Sequence, residues 1–260
     1  MLHHEISGNG KKPLVLLHGF MENTTIWNEM EAHLSKDFTL IKIDLPGHGK
    51  SKVYQEIHTV ELMAEKVKEV IDALKLEKIN LLGHSLGGYV SLAFAEKFPE
   101  ILESMTLFFS TTVADDEEKK AIRTRSIAVI DENFETFVKT SIPNLFSNNE
   151  KDILEGKIEL AKNIAKSTNK EGVKAAQLGM AERPDRTEIL ENLDAKILII
   201  AGKYDNAVKT ENLLKIIPEK TNIKTYVLDC GHNGHWEKPT ICAEIINTEL
   251  FHNLPKHFLL

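Results

Sequence analysis

Short apolar runs separated by amphipathic stretches set the pattern of the first hundred residues. Pro13–Leu17 (PLVLL), Phe38–Ile43, Ile79–Leu82 and Leu102–Phe109 read as strands, the most apolar of them buried on both faces of a sheet. A weaker candidate, Leu2–Ile6, precedes them and ends at Gly8-Asn9-Gly10. Between the strands the apolar period lengthens to that of a helix. Ile26, Trp27, Met30 and Leu34 share one face of Thr24–Leu34, and Val60, Met63, Val67, Val70, Ile71 and Leu74 do so over His58–Leu74. After Ile79–Leu82 the run Val90, Leu92, Ala93, Phe94, Ala95, Phe98 is again helical, and Pro99 stops it.

At Ser110 the pattern changes. Residues 111 to about 187 offer no convincing strand, only charged helical segments over Asp116–Ile130, Phe134–Ile142, Ile153–Ala165 and Gly172–Met180. Ile197–Ala201 (ILIIA) resumes the buried-strand pattern. A helix at Asn212–Ile217 ends before Pro218, Lys224–Leu228 is the last strand, and Glu237–Leu250 closes the chain as a helix. Alternating strands and helices imply an α/β fold with a mostly parallel, doubly wound sheet and right-handed crossovers. The helical block reads as a cap inserted over the carboxyl edge of that sheet, where such folds place their sites. It divides the chain into a core of 1–110 and 188–260 with a helical cap of 111–187.

Composition narrows the class of function. Apolar content of 42% and charged content of 27% are ordinary for a globular protein, and 260 residues can bury a sizeable core. A formal charge of −7 and a pI near 5.9 argue against a nucleic-acid partner. No run approaches the roughly 18 apolar residues of a membrane span, and the start, MLHHEISGNG, lacks the layout of a secretory signal. Cys230 and Cys242 form neither a C-x-x-C pair nor a scaffold of disulfides, so a reducing cytoplasm is the simplest compartment. No metal-ligand spacing occurs among the eleven histidines, and neither metal nor cofactor is expected.

The chemistry centres on Gly83-His84-Ser85-Leu86-Gly87, a G-x-S-x-G between a buried strand and a helix. A serine on so sharp a turn stands off the sheet edge, and glycines on both sides let strand and helix backbones approach. Ser85 is therefore the expected nucleophile. A serine hydroxyl needs a base, and the base needs an orienting acid, in the order Ser, Asp or Glu, His. Asp205, just past ILIIA, and His232, just past the last strand, fill that order. His235 is the rival base, and Asp194, Asp229, Asp115 and Asp116 are rival acids. His84 is expected to point to the other side of the turn, as a packing residue or one just behind the reacting groups, and His18, His48 and His58 to sit in loops or at helix starts. The oxyanion donors should be the N–H of Leu86, after the nucleophile, and that of Phe20, after the Pro13–Leu17 strand.

These motifs resemble the α/β-hydrolase fold superfamily, in its capped esterase, lactonase and C–C hydrolase branch. LLHGF at Leu16–Phe20, DLPGHGKS at Asp44–Ser51, GHSLGG at Gly83–Gly88, GKYDNAV at Gly202–Val208 and GHNGHWEKP at Gly231–Pro239 carry the resemblance. It implies a sheet of about eight strands. It also favours His232 over His235, because Glu237 and Pro239 fall five and seven residues beyond the former. MAERPDRTEIL at Met180–Leu190 is similar to the cap-exit segment of small esterases and enol-lactonases.

Apolar side chains expected around the acyl or alcohol group are Phe134, Phe137, Phe146, Leu178 and Met180 in the cap. Met21, Trp27, Phe108, Phe109 and Trp236 are expected at the floor or rim. A helical stripe of such residues also describes ordinary core. Arg123, Arg125, Arg183 and Arg186 would suit a substrate carboxylate if two of them faced inward. The expected function is cleavage of a small-molecule carboxylic ester through an acyl-enzyme. Lactone, enol-lactone or C–C bond hydrolysis, a synthase resembling that of menaquinone biosynthesis, and a non-catalytic receptor are the alternatives. A homodimer is compatible with the sequence.

Overall fold

The computed structural model describes residues 1–34 and 36–251. Every apolar run named above forms a strand: β1 His4–Ser7, β2 Lys12–Leu17, β3 Phe38–Ile43, β4 Ile79–His84, β5 Leu102–Phe108, β6 Lys196–Gly202 and β7 Ile223–Leu228. They build one sheet in the order β1-β3-β2-β4-β5-β6-β7, parallel throughout except for β1, which pairs antiparallel with β3. The sheet therefore has seven strands among the described residues, not eight, because no further apolar run exists to supply another.

Alternate side chains of each central strand enter opposite cores. Val15, Leu17, Leu81, Ile197 and Ile199 join one core, whereas Leu14, Leu16, Leu82, Leu198 and Ile200 join the other. Helices α2 (Val60–Ala73) and α3 (Leu86–Lys97) cover the first face together with Leu213 of α8 (Thr210–Ile216). Helix α1 (Asn28–Leu34) and the closing helices α9 (Gly234–Glu237) and α10 (Pro239–Ile246) cover the second. Thr59 caps α2 by accepting from the Leu62 N–H. Strand order reverses between β2 and β4: β3 lies on one side of β2, and β4 on the other. A crevice opens at such a switch point, at the carboxyl ends of the strands.

Between β5 and β6 the chain is helical: α4 Glu117–Ser141, α5 Glu155–Ser167, α6 Lys170–Glu182 and α7 Glu188–Asn192. Helix α4 joins two segments across a break at Asn133, whose backbone leaves helical geometry and whose side chain accepts from the Thr136 N–H to restart the helix. This insertion seats on the core through α6. Gly172 lies against the main chain of Gly47 and Gly179 against that of His58, so closely that a Cβ on either would overlap backbone. Arg186, at the exit, reaches Glu61 of α2 and Glu96 of α3.

Candidate active site

Strand ends β2, β4 and β5 each carry a strained turn. Among the described residues only four non-glycines have left-handed backbone, and three of them are here: Met21 (φ 58°), Ser85 (φ 49°) and Phe109 (φ 49°). Such conformations are costly for side chains with a Cβ and cluster at functional sites. At Ser85 the cause is visible. A Cβ on Gly83 would overlap the Gly87 oxygen, and one on Gly87 would overlap the Leu17 oxygen, so strand, turn and α3 touch backbone to backbone. The turn is closed by the Ser85 N–H donating to Phe108 O (3.0 Å) and by Ser110 Oγ donating to Ser85 O (2.8 Å).

Asp205 and His232 meet at the ends of β6 and β7. His232 Nδ1 lies 2.7 Å from Asp205 Oδ2, with both side chains buried. Asp205 Oδ1 accepts from the N–H groups of Ala207 (2.8 Å) and Val208 (2.9 Å), which fixes the carboxylate's rotation. The His232 main chain is held by its own N–H donating to Leu145 O (2.8 Å). Ser85 and His232 line the same cavity, of about 710 Å³, between the sheet edge and the insertion. Among the described residues Ser85 Oγ makes no hydrogen bond within the protein. Catalytic bonds in unliganded sites are often long and tighten only when substrate binds.

The rivals occupy other roles. His235 is fully buried, has no hydrogen-bond partner at either ring nitrogen among the described residues, with Nε2 3.7 Å from Glu22 Oε1, and packs against Trp27, His84 and Trp236. Burial first, and then the neighbouring His84, keep its pKa well below the usual histidine value. Asp229 pairs with Lys203 at the surface, Asp116 caps α4, and Asp115 is buried between Arg123 and Arg183.

The loop after β2 is clamped at Gly19, through the peptides on both sides of that residue. His18 Nε2 accepts from the Leu45 N–H (2.9 Å), so its proton sits on Nδ1 and is donated to Gly19 O (2.7 Å). The Phe20 N–H belongs to the same peptide plane and points the opposite way. The Gly19 N–H donates to Glu22 Oε2 (2.5 Å). Neither the Phe20 nor the Leu86 N–H donates a hydrogen bond to another group among the described residues, and Leu86 is the first residue of α3.

Of the apolar residues expected around a ligand, Met21, Phe137 and Met180 lie on the cavity wall, with Phe20. Trp27, Phe108, Phe109, Phe146 and Trp236 do not reach it. They fill the core behind the site, where Trp27 packs on Phe108 and Phe146 stacks on Trp236 (6.0 Å between centroids). Phe134 packs on the same core from the insertion, and Leu178 is half-buried away from the cavity. The periodic stripe identified burial correctly but not which buried surface faces the cavity.

Arg123 and Arg183 do face the cavity, yet both ion-pair with Asp115. Arg183 also donates to the oxygens of Met180 (2.7 Å) and Val113 (3.0 Å) and stacks over Tyr89. Burial alone would raise the pKa of Asp115, but the two guanidiniums hold it down at about 2. Arg186 is bound to Glu61 and Glu96, and Arg125 does not line the cavity. Three groups from separate parts of the chain, Glu22 after β2, His84 at the end of β4 and His235 in α9, place metal-ligating atoms within 4.8 Å of one another. Both nitrogens of His84 and one oxygen of Glu22 are already hydrogen-bonded, which leaves a poor cage for an ion.

Two more residues carry the site. Glu237 accepts from the N–H groups of Ser147 (3.1 Å), Gly231 (2.9 Å) and Asn233 (3.1 Å), holding the histidine loop to the insertion. Glu22 stands out in the sequence only as an acid three residues beyond Gly19, at no helical or strand phase.

A family model described as alpha/beta hydrolase fold matches residues 12–239. An uncharacterised protein of Mycobacterium tuberculosis (strain ATCC 25618 / H37Rv) is 35% identical over 111 residues, 43% of this chain. The match spans only 32% of that protein's length. A putative 2-succinyl-6-hydroxy-2,4-cyclohexadiene-1-carboxylate synthase of Bacillus subtilis (strain 168) is 28% identical, covering 92% of this chain and 90% of its own. The solved structure of a thermophilic esterase from Thermogutta terrifontis, with malate bound, superposes with a TM-score of 0.88. It is 32% identical and covers 95% of this chain and 91% of that one. The strand order, the turn at Ser85 and the match across residues 12–239 together show that this chain belongs to the alpha/beta hydrolase fold family.

Proposed function

We propose that this protein is a cofactor-independent serine hydrolase of carboxylic esters, with Ser85 as nucleophile, His232 as base and Asp205 as its orienting acid. The observation that carries the reading is the 2.7 Å bond between Asp205 and His232, in a cavity that His232 shares with the strained Ser85. His232 takes the Ser85 proton as Oγ attacks the ester carbonyl. The negative oxygen is received by the N–H groups of Phe20 and Leu86, each worth about 3 kcal/mol to the transition state. The alcohol leaves with the proton from His232, and water hydrolyses the acyl-enzyme through the same base. Asp205 keeps the proton on Nδ1, so that Nε2 is free to accept, and offsets the imidazolium charge.

Residues 111–187 act in this reading as a cap whose underside, through Phe137 and Met180, meets the apolar part of the substrate. The capture of Arg123 and Arg183 by Asp115 supports a neutral ester over a dianionic substrate, and so disfavours the synthase reaction. The esterase of Thermogutta terrifontis, similar along nearly the full chain, supports the same choice.

Turnover of p-nitrophenyl acetate and butyrate tests the proposal, alongside a panel of lactones. Wild-type protein should release p-nitrophenol, and Ser85→Ala should lose about 10⁴-fold or more in kcat. Ester turnover that survives in Ser85→Ala, or faster turnover of lactones than of esters, would refute the ester assignment.

A further inference from the structure

Beneath the proposed nucleophile both ring nitrogens of His84 face acceptors. Nδ1 is 2.8 Å from Glu22 Oε2, and Nε2 is 3.0 Å from the main-chain oxygen of His232. A neutral imidazole has one N–H, and the carbonyl can only accept. The same Glu22 oxygen also receives the Gly19 N–H, which favours charge on that oxygen over a proton. A carboxylate facing an imidazolium satisfies every one of these contacts.

We propose that Glu22 and His84 form a buried carboxylate–imidazolium pair that positions the Phe20 amide and the His232 main chain for ester hydrolysis, without either reacting itself. The inference rests on the function proposed above. Its argument is connectivity. Glu22 fixes the N–H of Gly19 while His18 fixes its carbonyl, so the Phe20 N–H is left a single direction. The left-handed turn at Met21 is what folds Glu22 back beneath that peptide. At its other end the pair reaches His232 O, while Leu145 holds His232 N–H. One ion pair thus ties together the loops that carry the oxyanion donor, the nucleophile and the base.

Charge balance gives the pair a second effect. Glu22 lies on the cavity wall, and a lone carboxylate there would oppose a developing oxyanion. The imidazolium cancels it. The groups facing His84 are Glu22, the rings of His232 (5.1 Å) and His235 (4.6 Å), and at longer range His18 and Asp205. Burial drives the His84 pKa down, but Glu22 more than reverses this and holds it above the usual histidine value. When the proton is finally lost at alkaline pH, a nitrogen lone pair meets the His232 oxygen and activity falls.

Two measurements test the pair. In ¹⁵N NMR of the wild-type imidazoles at pH 7.5, assigned with His84→Gln, both His84 nitrogens should show protonated shifts. A neutral tautomer there overturns the proposal, and this result needs no variant to be active. In Glu22→Gln, kcat for p-nitrophenyl butyrate should fall ten- to a hundredfold, with KM within twofold. The alkaline limb of the kcat profile should also move to lower pH. A folded Glu22→Gln with wild-type kcat and an unmoved limb overturns the proposal, even where Ser85→Ala is inactive and the hydrolase function stands.

Discussion

Replacing Asp205 by Asn separates the orienting role proposed for this side chain from its structural one. In the wild type Oδ1 accepts the N–H groups of Ala207 and Val208, and Oδ2 faces His232 Nδ1. An asparagine must keep its oxygen on those two donors, so its NH₂ is turned onto His232. Nδ1 then has to accept, and the ring proton moves to Nε2, the nitrogen that should take the proton of Ser85. The fold barely notices, because both main-chain bonds survive. The chemistry loses its base, a loss of about 10⁴ in kcat, or about 5.5 kcal/mol of transition-state stabilisation. Steady-state hydrolysis of p-nitrophenyl butyrate, with thermal melts of both proteins, measures the two effects separately. A decrease below tenfold, with an unchanged melt, would show that His232 is not oriented through Asp205.

Two further outcomes concern the insertion and the buried acids. Gly→Ala within an accessible helix usually stabilises by about 1 kcal/mol, but at Gly179 a Cβ would strike the His58 backbone and lift α6 from the core. Gly179→Ala should therefore destabilise in urea by about 1–3 kcal/mol and change KM, since α6 supplies Gln177 and Met180 to the cavity wall; an unchanged midpoint would mean that α6 is not seated as described. Glu22 is held at about 2 against 4.5 unfolded, because His84 outweighs the upward push of burial, and Asp115 at about 2 against 3.8. Depressed acids stabilise the fold above their unfolded pKa and lose that contribution as pH falls, so urea stability should drop steadily from about pH 4.5 towards 2. For Glu22 the loss is on the order of 3 kcal/mol, and a stability flat across this window would contradict the pairing.

The central strands were legible because a doubly buried strand asks for a short, mostly apolar run, whereas the edge strands β1 and β7 are only partly buried and carry weaker patterns. The break in α4 was legible for a different reason. The polar stretch around Asn133 interrupts the apolar period where the backbone leaves the helix. The pairing of Asp205 with His232 followed from chain order and strand ends, and Asp205 Oδ1 also stabilises the turn in which it stands. The cavity wall was not legible. Periodicity tells which side of an element is buried, not whether that side meets core or cavity, and so Trp27, Phe108 and Trp236 resembled Met21 and Met180. Glu22 and Glu237 were harder still, because nothing local explains a buried carboxylate whose partners lie in other loops.

Those two acids show how irregular chain can be held as firmly as a sheet. A strand satisfies its N–H groups through its neighbours, whereas the loops at the carboxyl edge have no ladder and need acceptors with several lone pairs. Glu22 and Glu237 each supply one, but they meet the penalty of burial in opposite ways. Glu22 has a cationic partner in His84, and its pKa falls. Among the described residues Glu237 has only main-chain donors, from Ser147, Gly231 and Asn233, and burial prevails over all three to push its pKa up. On the function proposed above, charge compensation would then stand beside the oxyanion loop, where a bare carboxylate would oppose the negative oxygen of the transition state. It is absent behind the histidine loop, where Glu237 is outside the cavity wall and needs only to hold the main chain.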